Sequence, residues 1–251
     1  MSNHIGEIKM KHVHVLLLLL SLFLISCGED PLSEQKQGDA KGQVNLWDEY
    51  GRKITDAGGV TVRFEEAAKS TTTDSRGQWQ ISGLPAGTYT VTVSKDGFGT
   101  HKVFSYEFAG RGAAPMDLVT MVTRASYTIE DLTMTAEGSG LVSVAGRISN
   151  ADGEDYLPAI VFVGTDAAVS SDPAKHLISM NAHILQKEDG TIFLPFLHLT
   201  PRMNVTPGQT YYFIIYPYSS PGTRYMDPHS GKFMYPALGN KPSRVVAVTM
   251  P

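Results

Sequence analysis

Apolar and polar residues alternate in short runs along most of the chain, and clusters of turn residues separate the runs. Val60, Val62 and Phe64 alternate with Thr61, Arg63 and Glu65, the period of a half-buried strand. Tyr89, Val91 and Val93 alternate with Thr88, Thr90 and Thr92 in the same way, apolar inward and hydroxyl outward. Between them, Thr73 to Gly77 predicts a tight turn in which Asp74 bonds its own backbone and Gly77 takes positive φ. Gln78 to Ile81 reads as a strand, and Gly83 to Gly87 as a second turn. Strand-like runs continue at 127–134, 140–149, 159–164, 191–197 and 211–218, with a last strand at about 243–250. Helical spacing is absent throughout this stretch. The pattern predicts an all-β chain in two β-rich halves.

The first 40 residues follow another rule. Val15 to Ile25 is an eleven-residue apolar run, too short to cross a membrane as a helix but the right length for the core of a secretion signal, with Lys9 and Lys11 before it. It ends in Leu24-Ile25-Ser26-Cys27, which resembles the bacterial lipobox. That resemblance implies a signal peptide over 1–26, removed on cleavage, and an acylated Cys27 that partners membrane lipid. Met10 would make a more typical start than Met1. Residues 27–40 are polar and cannot bury enough surface to offset chain entropy, so they predict a flexible tether. Gly28, Glu29 and Asp30 after the cysteine resemble Gram-negative sorting signals, which implies the outer membrane and favours its outer surface.

Composition narrows the function classes. A net charge of −4 gives no electrostatic footprint for nucleic acid. One cysteine excludes a disulfide scaffold and a multi-cysteine metal site. With 24 Gly and 14 Pro, the chain is rich in turns. No Gly-x-Ser-x-Gly elbow, phosphate loop or His-Glu-x-x-His helix is present. The histidines after the signal segment, His101, His176, His183, His198 and His229, fall at no ligand spacing, so neither a metal, a cofactor nor catalysis is expected. The acidic stretches Asp152 to Asp155 and Glu188 to Gly190 read as solvated hairpin turns rather than calcium loops.

Two resemblances bear on the fold. Lys41 to Val44, Gly59 to Val62, Thr73 to Trp79 and Gly83 to Tyr89 together resemble the carboxypeptidase regulatory-like family over about residues 41–120. This implies a transthyretin-like seven-stranded sandwich and a non-catalytic role. Val205 to Tyr211 resembles the Leu-x-Pro-Gly-x-x-Tyr pattern of fibronectin type III domains. There the tyrosine hydroxyl reaches back to a backbone group at a chain corner. Together the two resemblances imply two tandem β-sandwiches, transthyretin-like over residues 41–122 and fibronectin III- or Ig-like over 126–251.

The strand that begins at Tyr211 carries an anomaly. If Tyr211, Phe213 and Ile215 face the core, then Tyr212, Ile214, Tyr216 and Tyr218 face outward, where polar residues belong. An inserted hairpin over 219–242 follows, turning at Asp227 to Gly231. It either folds over the apolar face and buries it, or offers an aromatic platform to sugar rings or a partner strand. On the second alternative, Tyr218, Arg224, Tyr225, Phe233 and Tyr235 are the candidate ligand contacts, for a polysaccharide or a surface protein. The expected function is a binding or scaffolding module at the cell surface, or else a structural spacer in a surface assembly.

Overall fold

The computed structural model describes residues 36–111, 113–138, 140–151, 156–186 and 191–251. The expected signal peptide, Cys27, the tether up to residue 35 and both acidic turns lie outside the described residues.

The first sandwich comprises β1 (Gln37–Trp47), β2 (Lys53–Ile54), β3 (Thr61–Phe64), β4 (Lys69–Thr72), β5 (Gln78–Pro85), β6 (Gly87–Ser94), β7 (Thr100–Phe108), β8 (Ala113–Pro115) and β9 (Val119–Val122). One sheet runs β2-β1-β5, with β8 and β9 paired parallel to β1. The other runs β4-β3-β6-β7 and is antiparallel. Their inner faces meet in a core that includes Val44, Leu46, Val62, Phe64, Trp79, Val91 and Val93. Alternation along β3 and β6 is as the sequence predicts. The Phe64 ring meets Trp79, Tyr89 and Tyr106 edge-on, at centroid separations of 5.9, 5.6 and 5.8 Å. Room for the indole comes from Gly42, where a Cβ would stand 2.7 Å from the Trp79 ring.

The turn after β4 follows its chemistry. Asp74 accepts from the Arg76 and Gln78 amides at 2.9 and 2.8 Å, and Gly77 has φ +77°. A Cβ at Gly77 would stand 2.0 Å from the Val44 carbonyl oxygen. The Gln78 amide leads the interactions that hold the Asp74 carboxyl below its ordinary range. Within residues 27–40, expected as a tether, β1 begins at Gln37 and pairs with β5. Polar side chains at 37, 39 and 41 conceal that strand, whose buried member there is only an alanine, Ala40.

The second sandwich comprises β10 (Thr128–Ala136), β11 (Leu141–Ser149), β12 (Tyr156–Gly164), β13 (Ile178–Gln186), β14 (Thr191–His198), β15 (Thr210–Pro217), then the small strands β16 (Tyr225–Asp227) and β17 (Lys232–Met234), and last β18 (Val246–Thr249). Seven of them form one continuous ladder, β10-β11-β14-β13-β12-β15-β18. The ladder folds where β13 meets β14 through only Leu185↔Phe193 and Gln186↔Ile192. Leu132, Val142 and Val144 thereby face Val161, Ile184, Phe213 and Ile215 across a second core. The corner tyrosine is present: the Tyr211 hydroxyl accepts from the Thr206 amide at 3.1 Å and donates to the Asn204 carbonyl at 3.4 Å.

Candidate functional site

β12 and β15 are apolar on both faces. Leu157, Ala159, Val161 and Val163 of β12, with Tyr211, Phe213 and Ile215 of β15, fill the second core. Their alternate neighbours, Ile160, Phe162 and Ile214, point the other way into a third core with Val122, Tyr218, Tyr235, Ala237 and Leu238. Trp47 and Phe233 pack against it. Its members come from both sandwiches and from the inserted hairpin, so burial of the outer face of β15 joins the two halves.

The hairpin is fastened at each point. At its turn, Asp227 accepts from the His229 amide, the Ser230 amide and the Ser230 hydroxyl, at 3.2, 3.2 and 2.7 Å. The serine hydroxyl contributes most to holding the Asp227 carboxyl below its usual range. Lys232 donates to the Pro173 carbonyl at 2.6 Å. Tyr225 packs on β7 of the first sandwich, 5.3 Å from the His101 ring and 5.9 Å from Phe104. Tyr235 and Tyr218 are each 7% exposed, with ring centroids 5.7 Å apart. Their hydroxyls are engaged, Tyr235 with Ser179 at 2.9 Å and Tyr218 with the Thr223 carbonyl at 2.7 Å. Burial pushes the Tyr218 phenol up, and Tyr127 likewise, whose hydroxyl donates to the Pro158 carbonyl and accepts from the Tyr218 amide at 3.2 Å.

The connection between the sandwiches is equally close. Glu49 accepts from the amide and the hydroxyl of Ser126, both at 2.7 Å. The Arg124 amide donates to Gly97 at 2.8 Å, and the Ser220 amide to Glu49 at 2.9 Å. A Cβ at Gly99 would stand 1.8 Å from the Pro236 carbonyl oxygen, so the two segments meet there backbone to backbone.

Of the five candidate contacts, Tyr218 and Tyr235 therefore present no free ring, which corrects the expectation that they meet a ligand. They are interior because the apolar outer face of β12 and β15 needs a cover. Tyr225 and Phe233 are half-buried. Arg224 alone is exposed, its guanidinium 4.1 Å above the Phe233 ring. It stands at the rim of two clefts on either side of the hairpin root. One, of about 590 Å³, is lined by His101, Tyr106, Met116, Leu118 and Thr223. The other, of about 370 Å³, is lined by Tyr156, Pro158, Asn181, His183 and Ser220.

Sequence reasoning missed the second of these clefts. Tyr156 is 54% exposed and stacks on His183, with ring centroids 4.6 Å apart and planes 16° from parallel. A signal was present in β13, where Ser179, Asn181 and His183 alternate with the core residues Met180, Ala182 and Ile184. That polar stripe faces the same side as the apolar one on β15, so part of the face was bound to stay open. Burial holds His101, beneath Tyr225, below the ordinary histidine value.

Residues 48–135 match the family model of the carboxypeptidase regulatory-like domain, as the motifs in the first half anticipate. No curated protein matches the chain. Among solved structures, a chain of a mutant type II cohesin–X-dockerin complex from Acetivibrio cellulolyticus is similar at 24% identity, over 34% of this chain and 56% of that one, with a TM-score of 0.29. The present chain thus spans little more than half of that neighbour. A candidate carbohydrate binding protein from Bacteroides uniformis is similar at 14% identity over 85% of this chain and 100% of its own, with a TM-score of 0.31. A DUF3823 family protein from Parabacteroides merdae is similar at 10% identity over 84% of this chain and 99% of its own, with a TM-score of 0.32.

Proposed function

We propose that the chain is a non-catalytic binding module, held at the bacterial outer membrane through acylated Cys27 and presented to the surroundings by the short polar segment after it. One observation carries the reading: Arg224, an exposed cation, stands between two clefts whose walls are fixed by the packed hairpin. Recognition by a few polar groups on a rigid apolar frame is how small-ligand sites are usually built. The histidines beside this region are taken up by packing, His101 against Tyr225, His176 against Phe162 and His183 against Tyr156. The burial of Tyr218 and Tyr235 favours a second reading, in which the joined sandwiches act as a spacer in a surface assembly.

Two measurements test this. Cys27→Ser is expected to move the protein from the membrane fraction to the soluble one, since durable attachment needs the several acyl chains that this cysteine would carry. If the variant stays with membranes after an alkaline wash, the anchor lies elsewhere. Cells displaying the full chain are expected to retain at least one member of a set of fluorescent polysaccharides, neutral and acidic. Retention of none would leave the spacer reading alone.

A further inference from the structure

The outer face of the second sandwich is covered at one end and open at the other. Along β12 the outward positions are Tyr156, Pro158, Ile160 and Phe162. Ile160 and Phe162 lie in the third core under the hairpin, and Tyr156 stays open. The register sets Pro158 opposite His183 and Ile160 opposite Asn181, so the two polar side chains of β13 border the open end. The cover stops at the hairpin root, where the loop from Ser219 to Arg224 forms the opposite wall.

This leaves a shallow cleft of about 370 Å³ with distinct chemistry on each side. The Tyr156–His183 stack fixes the plane of the phenol ring while leaving more than half of its surface to solvent. A flat aromatic surface of this kind packs against the axial C–H face of a pyranose, at low rotamer cost. Asn181 offers an amide that both donates and accepts, as a ring hydroxyl requires, and Ser220 offers a hydroxyl. Across from them is Arg224, whose planar fork matches a carboxylate. No carboxylate pairs with Arg224 among the described residues, and the cleft lining contains no acidic side chain. The guanidinium carbon stands 4.1 Å from the centroid of the Phe233 ring, a cation–π contact that holds the side chain against the hairpin.

The geometry points to a binding site for an acidic glycan, in which a uronate pyranose lies on the open face of Tyr156, backed by His183, with its carboxylate on Arg224. The inference rests on the reading of the chain as a binding module, and it moves the ligand from the hairpin rings to the open end of the same face.

Calorimetry on the full chain, with tetragalacturonate and its neutral methyl ester as probes, tests it. The acid is expected to bind at least tenfold more tightly than the ester. Tyr156→Ala should weaken the acid at least tenfold with an unchanged melting temperature, since the side chain is largely exposed. Arg224→Gln should bring the acid down to the ester's affinity while ester binding persists. Binding that survives Tyr156→Ala, or equal affinity for acid and ester in the unaltered chain, overturns the site. Failure to bind either probe overturns it too, and the wider reading still stands if displayed cells retain another polysaccharide. Retention of none removes both.

Discussion

In the first sandwich the Tyr89 hydroxyl donates to the Pro85 carbonyl at 2.7 Å, and in the second the Tyr211 hydroxyl spans from Thr206 to Asn204. Both halves thus tie a Pro- and Gly-containing turn to the strand that follows it with a phenol. They differ in where the remaining aromatic side chains go. The first sandwich places Phe64, Trp79 and Tyr89 in its own core and lines the outside of β6 with threonines. The second fills its core largely with aliphatic residues such as Leu132, Leu157, Ile184 and Leu199, and sets Tyr212, Ile214 and Tyr216 on the outside of β15. A polar outer face can meet water directly. An apolar one needs a cover, and here the cover comes from the hairpin and from Trp47 and Val122 of the other half. An outward aromatic stripe thus marks an interface, and its occupant can be the chain itself.

The largest test of that contrast is Phe162→Ala. Phe162 is fully buried beneath His176, Tyr216 and Tyr235, so its loss is expected to cost about 3–5 kcal/mol in chemical denaturation, as for a ring in an ordinary core. A loss under about 1 kcal/mol would mean that the third core is surface dressing. Next in size are the phenols. Tyr211→Phe leaves both a donor and an acceptor of the corner without a partner and should cost about 1–3 kcal/mol, more than Tyr89→Phe, which strands one acceptor. Equal losses in the two variants would show that the corner of the second sandwich carries no extra weight.

How far these features can be read from sequence depends on how local they are. The strands at 60–64 and 88–93, the Asp74–Gly77 turn and the Tyr211 corner are encoded within a few residues, and each forms where the pattern predicts. The start of β1 is not local. Its partners β5, β8 and β9 lie far along the chain, and its first residues carry no apolar alternation. The fate of Tyr218 and Tyr235 is also non-local, because Val122 and Trp47 help to decide it and precede them by a whole sandwich. Tyr156 and His183 escaped for the same reason: only the paired register of β12 and β13 stacks them.

The smallest expected effects are pH-dependent, and they too separate the regions. Tyr127 and Tyr218, at the join, have phenols raised above the ordinary value of 10.0, chiefly by burial. Their contribution is complete below pH 10 and is lost as pH rises beyond it, by about 1.4 kcal/mol per group for each pH unit. Fluorescence-monitored unfolding at pH 10 and 11 should therefore show falling stability, and a flat response would place these phenols in solvent. Asp74 and Asp227 titrate the opposite way. Their carboxyls lie below the ordinary 3.8, so what they add is present above about pH 4 and fades as pH drops through their lowered values. Asp74→Asn should blunt acid sensitivity in the first sandwich and Asp227→Asn in the hairpin.

The backbone contact between Gly99 and Pro236 has an evolutionary corollary. Sandwich domains are commonly shuffled between proteins as interchangeable units, joined by linkers that make few demands on their neighbours. Here the junction admits no side chain at Gly99, and Trp47 and Val122 are shaped to an apolar patch on the other half. A recombinant that inherited the first sandwich alone would carry Trp47 and Val122 uncovered and invite self-association. Exchange by recombination is therefore expected to preserve the pair, with both sandwiches inherited as a single cassette.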